Sequence, residues 1–267
     1  MDLKKIRLIL RKEWLQMRQQ RILLLSLIFL PILFTLLPIV IILVMRFVPT
    51  TELNGIEQLL KLAGTNPALT GATQQEILQA VIGQPVSVIL FMLPVILPSI
   101  IASYSIVGEK VNRTLEPVLA TPVTTLELLV GKILASLIPA VAVTWFFGLI
   151  LVISLYFVTL SRAVFVSIIS PSWLLLILLC APLLALTTIA ITVAASSRAT
   201  DPRSAQQISA LVILPVVLLL VGQFTGLLSL SPVVSLIAAL VLALMAAGAT
   251  WLATRMFQRE SILTRWN

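Results

Sequence analysis

The 267-residue chain is 60% apolar and carries 18 Lys and Arg against 10 Asp and Glu, a net charge of +8. Charged residues make up 10% of it, whereas an average soluble domain has about 25%. A soluble domain must cover its surface with polar side chains, so this composition excludes a water-soluble enzyme, a disordered tail and a disulfide scaffold, and leaves an integral membrane protein.

The first predicted element is an amphipathic helix. Leu3, Ile6, Leu10, Trp14 and Met17 recur at helical spacing, with Lys4, Arg7, Arg11, Lys12 and Arg18 off that stripe and Leu8 and Leu15 interrupting the basic face. Such a helix is expected to lie in the headgroup layer, Trp14 at the interface and the bases toward anionic lipid.

Six apolar runs follow that are expected to cross about 30 Å of hydrocarbon, the fifth being the weakest. They are Ile22–Met45, Pro85–Val107, Ile133–Phe157, Trp173–Ala195, Ile208–Val221 and Val233–Thr254. The first run is 24 residues long and lacks a small-x-small cleavage site, so it is expected to stay as a span rather than be cut as a signal peptide. Between spans one and two, Thr73-Gln-Gln-Glu76 is a capping box that predicts a short helix on the outer surface. The fifth run is expected to continue through Gly222–Gly226 as a bent or re-entrant element before Pro232.

The loop between spans two and three holds Glu109, Glu116 and Glu127; Asp201 is the only other acidic residue outside the termini and the first outer loop. Residues 109–120 have helical spacing, with Leu115 and Leu119 one turn apart. Thr121-Pro122 breaks that helix, and Thr124-x-x-Glu127 is a second capping box that starts the helix of span three.

Charge sets the orientation. Of the 18 basic residues, only Arg46, Lys61 and Arg162 fall on one side of the six spans, leaving 15 on the other. The richer side, with both termini, is therefore expected to be cytoplasmic.

The absences narrow the mechanism. There is no His, and the single Cys180 lies in an apolar run, so neither a His metal site nor an internal disulfide can form. No Asp, Glu, Lys or Arg falls within the six runs away from their ends. Proton-coupled and ion-coupled transporters and intramembrane proteases usually need such groups at depth. A phosphate-cradling G-x-x-x-x-G-K-[ST] loop is also missing: Gly131-Lys132 is followed by Ile133, and Leu126 stands at the first Gly position. The chain is thus not expected to be an enzyme by itself, and energy for a pump would have to come from another chain. No residue pattern marks a substrate-binding set.

The stretch Gly108-Glu-Lys-x-x-Arg-Thr-Leu-Glu-Pro-Val-Leu-Ala-Thr-Pro-Val, followed by Leu126-Glu-Leu-Leu-x-Gly-Lys132, resembles the signature loop of the type-2 ABC-transporter permeases. The segment Ser196-Ser-Arg-Ala-Thr-Asp-Pro-Arg-Ser-Ala-Gln-Gln207 is similar to that family's loop between spans four and five, and Arg11-Lys-Glu-Trp14 is similar to its N-terminal elbow. One departure is Arg113, where many members carry Gly; a helix tolerates Arg better.

The resemblance implies an all-α integral membrane protein: an elbow helix over residues 1–21, then a six-span permease domain over 22–267 with a cytoplasmic coupling helix between spans two and three. It implies an exporter subunit of a prokaryotic inner membrane, paired with a second copy or a sister permease. Two ABC ATPase subunits, holding ATP and Mg that this chain does not bind, would dock beneath. Glu109, Lys110, Arg113, Thr114, Leu115, Glu116, Pro117, Thr121, Pro122 and Glu127 would form the ATPase contact, with Glu109 as charged anchor and Thr121-Pro122 as hinge. Arg11, Lys12, Glu13 and Trp14 of the elbow would approach the same partner. Nucleic acid is not an expected partner. The alternative, a secondary transporter or channel without an ATPase, would have been favoured by intramembrane carboxylates.

Overall fold

The computed structural model describes residues 2–48, 69, 71–111, 123–196, 202–225 and 231–256. Every regular element among them is helical, and six helices are long and apolar enough to cross a membrane. The first helix, α1 (Leu3–Gln19), starts at Asp2, whose carboxylate accepts the Lys4 N–H at 2.9 Å. A single residue, Gln20, joins it to α2 (Arg21–Met45), which is span one.

Span two is longer than its apolar run. Thr73 and Glu76 form the expected capping box, but the helix they start, α3 (Gln74–Ser87), does not lie apart on the surface. It passes through a 3-10 turn at Val88–Met92 into α4 (Leu93–Val111), and the whole reads as one spanning element. The reason is Gln79. This fully buried amide donates to the Ile42 carbonyl at 3.0 Å and accepts the Leu160 N–H at 2.9 Å. Both polar ends being satisfied, α3 is buried along Leu78, Ala80, Gly83 and Val86.

Span three is one helix, α5 (Thr125–Val158), of 34 residues. At 1.5 Å per residue it is about 51 Å long and must protrude from about 30 Å of hydrocarbon. Its Ala140, Thr144 and Gly148 stripe is buried; a Cβ on Gly148 would stand 3.4 Å from Ile177 and 3.6 Å from Leu90, so the stripe packs within the chain.

Span four also begins earlier than its apolar run. Ser161 starts α6 (Arg162–Ile168), and Ser170 with Pro171 starts α7 (Pro171–Leu175). A π-turn over Leu176–Cys180 leads into α8 (Ala181–Ser196). The wider turn frees the Ile177 carbonyl, which accepts the Trp145 indole N–H at 2.9 Å. Span five comprises α9 (Pro202–Ser209), a 3-10 turn at Ala210–Val212 and α10 (Ile213–Phe224). The expected re-entrant continuation falls largely on residues 226–230, outside the described residues. Span six is α11 (Pro232–Met256).

Span two forms the centre: 78% of its most apolar window is buried, against 17–22% for spans one, three, five and six. Its Leu90, Leu93 and Leu97 pack with Leu151, Leu155, Ile168 and Trp173. The remaining spans leave large apolar side chains such as Phe29, Phe146, Leu218 and Leu244 exposed, as lipid-facing helices do. Several of their hydroxyls are satisfied locally: Thr144, Thr187, Thr188 and Thr192 each donate to a carbonyl four residues back.

Candidate functional site at the basic end of spans two and three

The end of the bundle that collects most Lys and Arg is built around α1. Ile6 is buried, and Ile9 packs with Leu128, Leu129 and Ile133 of α5. Gly131 permits this approach, because a Cβ there would lie 2.7 Å from Ile9 Cγ2 and 3.0 Å from its Cβ. Part of the apolar side of α1 therefore packs on span three. Leu3 at its start remains exposed, as do the off-stripe Leu8 and Leu15. Trp14 is exposed along one side, yet its indole N–H donates to the Ala135 carbonyl at 3.2 Å.

Glu13 falls on the buried side of α1 and is only 6% exposed. An unpaired carboxylate there would be costly, and it is fully paired. Lys132 Nζ of α5, itself 2% exposed, lies 2.9 Å from Glu13 Oε1. Ser105 of α4 donates its hydroxyl to Glu13 Oε2 at 2.6 Å. Lys132 also donates to the Ser105 carbonyl and to its hydroxyl oxygen, both at 3.0 Å. Three helices thus meet in one ring of charge-assisted hydrogen bonds. Burial pushes the Glu13 carboxyl up, but the Lys132 ammonium, with help from Ser105 and Lys12, outweighs it and holds the group below the ordinary carboxylate range.

A second carboxylate closes the other end of the contact. Glu127 Oε2 accepts the Thr124 N–H at 3.0 Å, completing the expected capping box of α5. Its Oε1 accepts the Asp2 N–H at 2.7 Å, so the same side chain also satisfies a donor at the start of α1.

Among the residues expected at the ATPase contact, Glu109 and Lys110 lie in the last turn of α4, and Glu127 is the double cap just described. Arg113, Thr114, Leu115, Glu116, Pro117, Thr121 and Pro122 fall outside the described residues. Of the elbow set, Arg11 is exposed and Lys12 lies 3.5 Å from Glu13. Sequence reasoning missed Ser105 and treated Lys132 as a topology charge. The signal was present: Ile6, Leu10, Glu13 and Met17 are spaced i, i+4, i+7 and i+11, so an acidic residue sat on the apolar stripe and demanded a buried cation.

Elsewhere at this end, Gln206 donates to Ser103 at 3.0 Å, and Thr192 and Ser209 share a hydrogen bond at 2.6 Å, tying span five to spans two and four. A cleft of about 440 Å³ between spans four, five and six is lined by Ile191, Ala194, Ala195, Ile208, Gly248, Ala249 and Leu252. Its walls suit hydrocarbon rather than a charged ligand. Among the described residues, no three His, Cys, Asp or Glu gather as a metal site.

Six apolar helices, five of them around a buried second span, define a multi-pass membrane protein. The chain belongs to the ABC-2 family: residues 7–239 match the family described as ABC-2 family transporter protein. It is accordingly a transmembrane subunit of an ABC-type transporter, a class that works with an ABC ATPase partner and is typically non-catalytic itself. No curated protein matches the chain.

Proposed function

We propose that the protein is the permease half of an ATP-driven exporter in a prokaryotic inner membrane, with both termini cytoplasmic. Two permease copies, or this chain and a sister permease, pair above two ATPase subunits that hold ATP and Mg. The family match over residues 7–239 carries the proposal, and the missing phosphate-binding loop agrees with a motor on a separate chain. The 15-to-3 division of basic residues supports the orientation.

The coupling contact is assigned to the segment that begins at Glu109 and runs through Arg113, Thr114, Leu115, Glu116 and Pro117 to the Thr121-Pro122 hinge. Glu127 caps the helix that leaves it. A carboxylate at position 109 can accept charge-assisted bonds from the motor, each of about 1.5–3 kcal/mol when well made. The test is Glu109→Lys beside Glu57→Lys in the first outer loop. Glu109→Lys is expected to insert normally, since an added inside Lys agrees with topology, but to weaken ATPase co-purification and abolish transport. Identical behaviour of the two variants would remove the coupling assignment.

A further inference from the structure

The Glu13–Lys132–Ser105 ring is more specific than adhesion requires. Ile6 and Ile9 already seat α1 against α5 at Gly131. Replacing a buried ion pair with apolar side chains of similar volume is often neutral or stabilising. What the ring adds is geometry. The three donors of the Lys132 ammonium are directed at Glu13 Oε1, the Ser105 carbonyl and the Ser105 hydroxyl, which fixes one spacing of three helices.

Its position in the chain gives that spacing a consequence. Ser105 stands six residues before the end of α4 at Val111, and Lys132 seven residues after the start of α5 at Thr125. At 1.5 Å per residue the two limbs extend about 9 Å and about 10 Å beyond the ring, nearly equal lengths. The third member, α1, reaches span one through Gln20 alone. A displacement of the two limbs is therefore passed through Lys132 and Glu13 into α1 and on to span one.

We infer that Lys132 is a positioning residue for transport: it locks the inner ends of spans two and three to the N-terminal helix, so that movement at residues 109–127 is delivered to span one. This rests on the permease reading above. The test uses the complex with its cognate ATPase in lipid nanodiscs, in a Cys180→Ala background with a Leu25→Cys bimane reporter on the exposed face of span one. In the parent, ATP with vanadate is expected to shift bimane emission. The doubly neutral variant Glu13→Gln/Lys132→Met, which leaves no buried charge unpaired, is expected to keep the parental melting temperature but lose the shift, measured per bound ATPase. Lys132→Arg, which keeps the charge and several donors, is expected to retain it.

An undiminished shift in the double variant would overturn the proposal, because a purely structural pair would behave that way. If the double variant does not insert, Ser105→Ala, with both charges still paired, decides: a reduced shift supports the lock and an unchanged one overturns it. Failure of the parent to retain any ATPase defeats the permease reading itself, and the lock with it.

Discussion

Asp2 donates its backbone N–H to Glu127 across 125 residues of sequence, at 2.7 Å. The Glu127 carboxylate thereby serves two helix starts at once, α1 through Oε1 and α5 through Oε2. Caps on separate helices normally fail separately; these two fail together.

That sharing separates two substitutions at the same capping box. Thr124→Ala removes the side-chain acceptor for the Glu127 N–H and is expected to cost about 1 kcal/mol, a typical cap loss. It leaves Asp2 bonded. Glu127→Ala breaks both ends. Hydrogen exchange should then speed up over Leu3–Ile9 in Glu127→Ala and stay at the parental rate there in Thr124→Ala. Equal protection of α1 in the two variants would show that the 2.7 Å contact does not hold that helix.

Gly131 and Gly248 make a matched pair. Ala is favoured over Gly inside a helix by about 1 kcal/mol, so Gly248→Ala, where an added Cβ meets nothing within 4 Å, should raise the melting temperature slightly. At Gly131 the same methyl meets Ile9 at 2.7 Å, and at the Ile9 Cβ rather than only its tip. The clash should exceed the propensity gain, lower the melting temperature and loosen α1. Limited trypsin digestion should cut at Arg7 and Arg11 faster in Gly131→Ala than in the parent, with span cores still protected.

The Glu13–Lys132 pair makes stability depend on acid. The folded Glu13 carboxyl titrates below its ordinary value of 4.5, so the native state favours the ionised form more than the unfolded chain does. The resulting stabilisation is complete above that ordinary value, shrinks as pH falls through it toward the lower folded value, and is absent below both. The melting temperature in detergent should drop over that interval, and Glu13→Gln should flatten the drop. An equally steep acid dependence in Glu13→Gln would assign it to other carboxylates.

Much of the architecture was legible before any coordinates, because hydrocarbon allows few solutions. A run of about 20 apolar residues must be a helix when no water can satisfy its backbone. All six runs correspond to spans, and both capping boxes formed. Two of the errors share one physical cause. Spans two, three and four were cut short wherever a polar residue interrupted the run, yet Gln79, Lys132 and Ser161 each have partners that let the helix continue or begin. The partners of Gln79 and Lys132 lie on other elements, at Ile42, Glu13 and Ser105, and such distant pairings leave no local periodicity; Ser161 instead accepts the Val164 N–H as a local cap. The docking of α1 was not legible for the same reason: an apolar stripe fits a membrane surface or a neighbouring helix equally well, and only the acid at position 13 points to the helix contact.

The Glu13–Lys132 contact spans 119 residues, and this separation sets an order of events during synthesis. At about 5–20 residues per second, roughly 6–24 s pass between the appearance of Glu13 and that of Lys132. For most of that interval, once Met45 has been added, the N-terminal helix has its neighbouring span but not its docking site, and its acidic side chain lacks the Lys132 cation. Closure of the ring is thus a late assembly step that can occur only after spans two and three have been laid down beside the first. It would mark a correctly inserted N-terminal half before the last three spans are complete.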